Sequence, residues 1–285
     1  MKKIGFVDFY ISEWHANNYP AWIARANELL GDDFEVAYAW AETDVSPVDG
    51  VTTKEWCEKF GVTPCETIAE LCEKSDYILV LSPSNPEKHL AYAKAVFPYG
   101  KPTYIDKTFA PDGKTAQEIF DLAKKYGVPF FSTSALRYAT ELDVYADQAR
   151  AVAITGGGGT IDEYLVHQTE MAVKCLGLGA KFVSYEKHAQ LETVRVTYED
   201  GRFATMTFAP ALPFTVTAST SEKTDYLPVQ SDYFQALLTD ILRFYTSGTP
   251  SFDVAQTLEV MQIREAALLA RESGETIELR SSGKI

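Results

Sequence analysis

Two groups of residues in this chain have the types and spacing to do chemistry. Lys107 directly follows the strand-like run Pro102–Asp106. A lysine at the end of a buried strand is partly desolvated. Desolvation disfavours the ammonium and suits the side chain to proton transfer. The competing reading is an exposed loop lysine. The second group is Glu163, His167, Glu170 and Lys174, spaced i, i+4, i+7 and i+11 on one face of a predicted helix, with Leu165, Ala172 and Leu176 opposite. A carboxylate one turn from a histidine can orient the ring and raise its basicity. The alternative is a solvated face with i,i+4 pairs worth about 0.2–0.5 kcal/mol each. His15, His89 and His188 lack patterned neighbours and read as structural or surface groups.

The elements that must position these groups follow from periodicity. Strand candidates are Lys3–Asp8, Phe34–Trp40, Tyr77–Ser82, Pro102–Asp106 and Val128–Ser132. Helical patterns lie between them at Ala21–Leu30, Thr52–Phe60, Thr67–Lys74, Pro86–Val96 and Thr115–Tyr126. Strands alternating with helices predict right-handed crossovers and a doubly wound parallel sheet, assigned to residues 1–130. Ligands of such sheets bind outside the carboxyl ends of the strands. That rule singles out Asp8–Ser12, Ala41-Glu42, Ser82–Asn85, Asp106-Lys107-Thr108 and Ser132–Tyr138.

Residues 131–285 read differently. Gly156–Gly159 lies between a strand candidate, Ala151–Thr155, and the helix Asp162–Leu176. The run lacks the Gly-Lys-Ser/Thr ending of a phosphate loop and reads as a flexible connection. Strands follow at Lys181–Lys187, Glu192–Tyr198 and Phe203–Ala209, the last two joined by the turn Glu199-Asp200-Gly201, and then helices at Asp232–Tyr245 and Val254–Arg271. Strands beside separate helices predict an α+β domain with an open, mainly antiparallel sheet.

Composition narrows the partners. With 285 residues the chain suits two domains, and its net charge of −14 repels nucleic acid and anionic membranes. The first apolar run stops at Asp8, too early for a secretory signal, so a cytoplasmic protein is expected. The four cysteines, Cys57, Cys65, Cys72 and Cys175, have no CxxC spacing and read as buried thiols; no metal site is expected.

Four segments carry a resemblance to a known family. Tyr77–Pro83 is similar to the hydrophobic strand and Thr-Pro of the Gfo/Idh/MocA oxidoreductases, the glucose–fructose oxidoreductase and inositol dehydrogenase kind. Gly100-Lys101-Pro102-Thr103-Tyr104-Ile105-Asp106-Lys107-Thr108-Phe109-Ala110 resembles the family's Gly-Lys-His-Val-x-x-Glu-Lys-Pro-Leu-Ala signature, with Asp106 for Glu and Thr108 for Pro. Gly157–Gly159 with Glu163 and His167 resembles its Gly-Gly … Asp-x-x-x-His helix, and Glu170 falls where a second Asp often follows. Gly248–Pro250 through Glu275 resembles its last helix and exit. The resemblance implies a Rossmann-like first domain that binds NAD or NADP. It also implies a second domain that holds a sugar or polyol and forms homo-oligomers. Lys107 would polarise the reacting oxygen, His167 relay the proton, and Glu163 orient a hydroxyl or the ring. The implied cofactor set is Phe9, Tyr10, Ile11, Ser12, Glu42, Ser82, Pro83, Asn85 and Asp106.

The first loop departs from the family. Val7, Phe9 and Ser12 stand at its three fingerprint glycines, Phe9 where backbone should approach pyrophosphate. Asp8 and Glu13 add negative charge beside a dianion. Trp14, Asn17, Asn18 and Pro20 predict a longer, stiffer loop. Glu42 favours a ribose diol, hence NAD, with no arginine nearby for a 2′-phosphate. The short stretch between Arg137 and Gly156 predicts loss of part of the substrate sheet, or its replacement by Thr140–Gln148. The function is thus expected to be an NAD(P)-dependent oxidoreductase. The alternative is a paralogue that lost the dinucleotide and binds another small ligand.

Overall fold

A computed structural model describes residues 1–279 as two compact units. The first comprises Met1–Ala110, Lys114–Thr133 and Phe234–Phe252; the second comprises Pro111–Gly113, Ser134–Tyr233 and the described residues from Asp253 on. The division expected at 130/131 lacks the return of 234–252 to the first unit.

The first unit is built on β1 (Lys2–Asp8), β2 (Phe34–Ala41), β3 (Thr63–Pro64), β4 (Tyr77–Val80), β5 (Thr103–Ile105) and β6 (Phe130–Ser132). Its helices are α1 (Trp14–Leu30), α2 (Thr53–Phe60), α3 (Ile68–Lys74), α4 (His89–Val96) and α5 (Gly113–Tyr126). The strands run parallel in the order β3-β2-β1-β4-β5-β6, the doubly wound order with its switch point between β1 and β4. Strands covered on both faces read as unbroken apolar runs, and Ile4, Phe6, Val7, Ile78, Leu79, Val80, Tyr104 and Ile105 are all fully buried. In the returning stretch, the Tyr245 hydroxyl donates to the Ile78 carbonyl at 2.7 Å, and Phe244 meets Phe131 edge-on at 4.9 Å.

α1 corrects the sequence reading. It begins at Trp14, not Ala21, so Trp14, Asn17, Asn18 and Pro20 lie in the helix and the loop before it is only Phe9–Glu13. A Pro20 at the first helical position would have placed the start later. Glu13 instead caps the helix, accepting the His15 N–H at 2.8 Å and the Ala16 N–H.

The second unit contains β7 (Ala151–Gly156), α6 (Ile161–Leu176), β8 (Ala180–His188), β9 (Leu191–Tyr198), β10 (Phe203–Phe208), β11 (Thr215–Ser219), β12 (Thr224–Pro228), α8 (Ala255–Ser273) and β13 (Ile277–Glu278). The intervening α7 spans Tyr233–Ser247. The sheet order is β12-β11-β7-β10-β9-β8-β13, antiparallel except for β7 beside β10. One face is closed by Val183, Val194, Val196, Ala204, Met206, Val152, Ile154, Val216 and Ala218, all buried. The other carries the cross-strand row Tyr226, Thr217, Ala153, Thr205, Arg195 and Ser184, with Phe182, Leu191 and Phe203 exposed. The expected loss of strands did not occur: Thr140–Tyr145 is a 3₁₀ turn, and β11 and β12, both short and rich in polar residues, complete the sheet. The glycine run is a close approach of backbones, not a flexible connection. A Cβ on Gly157 would sit 2.4 Å from the Ala209 carbonyl, and one on Gly158, at φ +145°, 2.2 Å from the Tyr164 ring.

Among the described residues no helix is long and apolar enough to cross a membrane. All four cysteines are free and buried.

Candidate active site

At the carboxyl edge of the first sheet, the predicted residues gather around β1, β2, β4 and β5. Asp8 ends β1, fully buried; its Oδ1 accepts the Phe9 N–H at 2.7 Å, the Ser82 N–H at 3.0 Å and the Ser82 hydroxyl at 3.2 Å. Its other oxygen, Oδ2, is buried and has no hydrogen-bond partner among the described residues. Burial, and then the nearby Glu13 charge, push the Asp8 carboxyl well above its usual value. Glu13 is likewise pushed up by burial, against the pull of His15 and the Ala16 and His15 N–H groups.

Of the other implied cofactor residues, Ile11 turns its side chain into the core, and the Ser12 hydroxyl donates to Asp49 at 2.7 Å. Phe9, Tyr10, Pro83 and Asn85 are half-buried. Glu42 accepts Lys88 Nζ at 2.5 Å and the Tyr92 hydroxyl at 2.9 Å, while the same ammonium lies 4.8 Å from the Phe9 ring centre. Lys88 is a cation that sequence spacing did not connect with this place, because it approaches from the next crossover.

Asp106 is the hub of the β5 end. His15 Nδ1 is bonded to its Oδ2, the Tyr19 hydroxyl reaches Oδ2 at 3.3 Å, and the Lys107 N–H reaches Oδ1 at 2.7 Å. Burial alone would raise Asp106, but His15 and then Lys107 outweigh it and hold the carboxyl below its usual range. His15, read from sequence as a lone structural histidine, is thus part of the signature it lies 91 positions from. His89 also belongs here: its ring nitrogens lie 3.0 Å from the Phe109 carbonyl and 2.7 Å from the Leu81 carbonyl, fastening the β4 end to the segment after Lys107. Lys107 itself is half-buried, joined to Thr108 by a cis peptide. Among the described residues its ammonium has no hydrogen bond or salt bridge.

In the second unit α6 presents the other predicted group, and here the solvated-face reading is half right. Glu163 is exposed. Glu170 is 2% exposed and pairs with the buried Arg137 at 2.7 Å. Its other oxygen accepts the Ser134 N–H at 3.2 Å, and Ser134 Oγ lies 2.6 Å from His167 Nδ1. Tyr164 and Phe214 flank the His167 ring edge-on at 5.4 and 6.0 Å. Lys174 donates to the Arg137 carbonyl at 2.7 Å and to Asp143 at 2.6 Å. No spacing rule pairs Arg137 or Ser134 with α6, since they come from the turn after β6. A cavity of about 570 Å³ also opens at the amino end of α6, lined by Asp162, Tyr185, Lys187, Glu192, Phe208 and Arg271 among others.

Residues 38–134 match the sequence model of GFO_IDH_MocA, described as an oxidoreductase family with an NAD-binding Rossmann fold. This stretch carries the Gfo/Idh/MocA oxidoreductase fold. The fold likeness extends over the whole chain. A myo-inositol dehydrogenase from Lactobacillus casei, in complex with NAD(H) and myo-inositol, matches with a TM-score of 0.79 at 11% identity, covering 100% of this chain and 98% of that one. An NAD binding oxidoreductase from Klebsiella pneumoniae matches with a TM-score of 0.77 at 13% identity, covering 99% of each. An oxidoreductase from Agrobacterium radiobacter, in complex with NAD+, L-tartaric acid and magnesium, matches with a TM-score of 0.75 at 12% identity, covering 97% and 98%. No curated protein matches the chain.

The Gfo/Idh/MocA fold raises the question of whether these residues fit NAD. A doubly wound sheet seats pyrophosphate at the amino end of the first helix, where free N–H groups and the helix dipole meet an anion. In this chain that end already holds one. The Glu13 carboxylate sits on the His15 and Ala16 N–H groups, an internal stand-in for a phosphate oxygen. The donors an anion needs are therefore built, while the two Glu42 oxygens at the end of β2 are engaged by Lys88 and Tyr92. The seat fits the cofactor once Glu13 gives up its place.

Proposed function

We propose that this chain is an NAD-dependent oxidoreductase acting on a sugar, inositol or related polyol. The observation that carries the reading is the Lys107 ammonium, half-buried at the sheet's carboxyl edge and without a hydrogen bond or salt bridge among the described residues. A cation held in that setting has its full hydrogen-bonding capacity for a ligand oxygen. The nicotinamide, when bound, supplies the hydride acceptor.

In this reading Lys107 binds the reacting oxygen and polarises it. Asp106 fixes the backbone from which Lys107 projects. His167 takes up and passes on the hydroxyl proton, steered by Ser134, and Glu163 orients a substrate hydroxyl. Ser12, Glu42, Ser82 and Asn85, with the backbone of Phe9, Tyr10 and Ile11 and the ring of Pro83, would hold the cofactor. Glu42 favours NAD over NADP.

Thermal denaturation with NAD or NADP tests this reading. A cofactor at 100 times its dissociation constant adds about 2.7 kcal/mol of stability. No shift with either cofactor overturns the reading and leaves the cofactor-free paralogue.

We propose further that the open face of the second sheet pairs with a second copy of the chain. Phe182, Leu191, Phe203 and Tyr226 expose apolar surface there, and like rows of threonines can face one another across a two-fold axis. Light scattering on Phe182→Glu, Phe203→Glu should give a monomer; an unchanged mass for the doubly substituted protein refutes this surface.

A further inference from the structure

The seat for the pyrophosphate is closed by the chain's own acid. Glu13 is 7% exposed and stands at the cap position of α1, a helix of 17 residues. Its two oxygens take the N–H groups of His15 and Ala16, the second and third residues of that helix. A phosphate oxygen and the Glu13 carboxylate would need the same two donors.

Asp8 supplies an independent observation. It is 1% exposed and its Oδ2 has no hydrogen-bond partner among the described residues. A buried oxygen left unpaired, close enough to Glu13 to feel its charge, marks a place whose polar complement is unfinished. Ionised together, two carboxylates in one buried spot repel each other, and each ionised one repels an incoming dianion. Moving Glu13 into solvent relieves that repulsion and frees both donors in one motion.

We infer that Glu13 is a displaceable internal anion that competes with the cofactor's pyrophosphate for the amino end of α1, and so sets the dinucleotide affinity of this chain. The inference rests on the cofactor reading above and specifies it. Affinity for any ligand with a pyrophosphate is then lowered by the fraction of molecules in which Glu13 holds the seat. The effect is independent of the nicotinamide end, so ADP-ribose should feel it as strongly as NAD.

The test is binding, without turnover. Trp14 adjoins the cap, is 53% exposed and lies 5.6 Å from the Trp22 ring, so indole fluorescence reports on the seat. Wild type, Glu13→Ser and Glu13→Gln are titrated with NAD and with ADP-ribose. Serine keeps a cap oxygen for one N–H, while glutamine keeps the shape and loses the charge. Glu13→Ser should bind both ligands at least about tenfold tighter than wild type, with Glu13→Gln between them. If Glu13→Ser does not fold, tighter binding by Glu13→Gln alone carries the result. Affinity no tighter than wild type in both variants overturns the role of Glu13 and leaves the oxidoreductase reading standing. Absence of binding by all three proteins overturns both.

Discussion

Ser134 Oγ lies 2.6 Å from Nδ1 of His167, although 33 residues separate them. The Ser134 oxygen also accepts the Leu136 N–H at 3.3 Å, which holds the hydroxyl in place to orient the imidazole. Ser134→Ala removes that control without touching a substrate group. It should lower kcat about tenfold, leave KM within about twofold and shift the acidic limb of the pH–rate profile. Unchanged kcat and pH profile would show that the contact only packs the turn.

Lys107→Ala should reduce kcat by about 10²–10⁴-fold while NAD affinity stays within about threefold, because the lysine is assigned to the reacting oxygen. Stopped-flow measurement of turnover beside a direct binding titration separates the two. A variant with wild-type turnover removes the assignment.

Glu170 and Arg137 form a pair that is almost wholly buried, and Arg137 donates a second bond to Gln256 at 2.7 Å. Glu170→Ala strands a buried guanidinium and should cost about 3–5 kcal/mol of stability in urea unfolding. Glu163→Ala, on the exposed side of the same helix, should cost less than about 0.5 kcal/mol. Equal losses in the two variants would mean that the buried pair is not what holds this face.

Asp8 gives a pH dependence of definite sign. Its folded-state value is raised by burial and by Glu13, so the folded chain holds this proton more tightly than the unfolded chain. Stability is then greatest below the ordinary carboxylate value of about 4 and falls as pH rises toward the raised value. Asp8 faces Glu13, Tyr10 and Tyr92, with Ser82 as its hydrogen-bond donor. Asp8→Asn keeps the acceptor at Oδ1 and drops the charge. Its stability should therefore fall less than the wild type's between pH 5 and 8 in urea titrations. An equal fall in both proteins would place the dependence elsewhere.

Burial pushes the Cys57, Cys72 and Cys175 thiols up to about 12 and Cys65 to about 11. Thiolates are the reactive form, so a disulfide reagent at pH 8 should label none of them in native protein and all four after denaturation. Rapid native labelling would contradict the burial.

Much of the first unit was legible because β1, β4 and β5 are buried on both faces and their residues must all be apolar. The Asp106-Lys107 signature was legible for a related reason: it sits at the end of such a run, where chemistry is exposed by topology. α1 was misread because a glutamate cap and an internal proline run against the commoner start signals. β11 was missed because threonine alternation on a half-exposed sheet looks like loop, and β12 because Thr224-Asp225-Tyr226-Leu227-Pro228 is short, polar and ends in proline. Glu170 was half misread, since its i+7 place on the helix surface says nothing about an arginine arriving from another segment.

By itself the sequence determined local conformations and the alternation of strands and helices, because these depend on side-chain periodicity and short-range sterics. It also singles out Lys107 and His167 as candidates. Only the tertiary structure decided that Asp106 holds His15, that Ser134 meets His167, and that Glu13 occupies the amino end of α1. Those are pairings of polar groups whose partners lie far along the chain or whose side chains fold back on backbone. The free energy of such a pairing is set by burial, which no window of sequence contains.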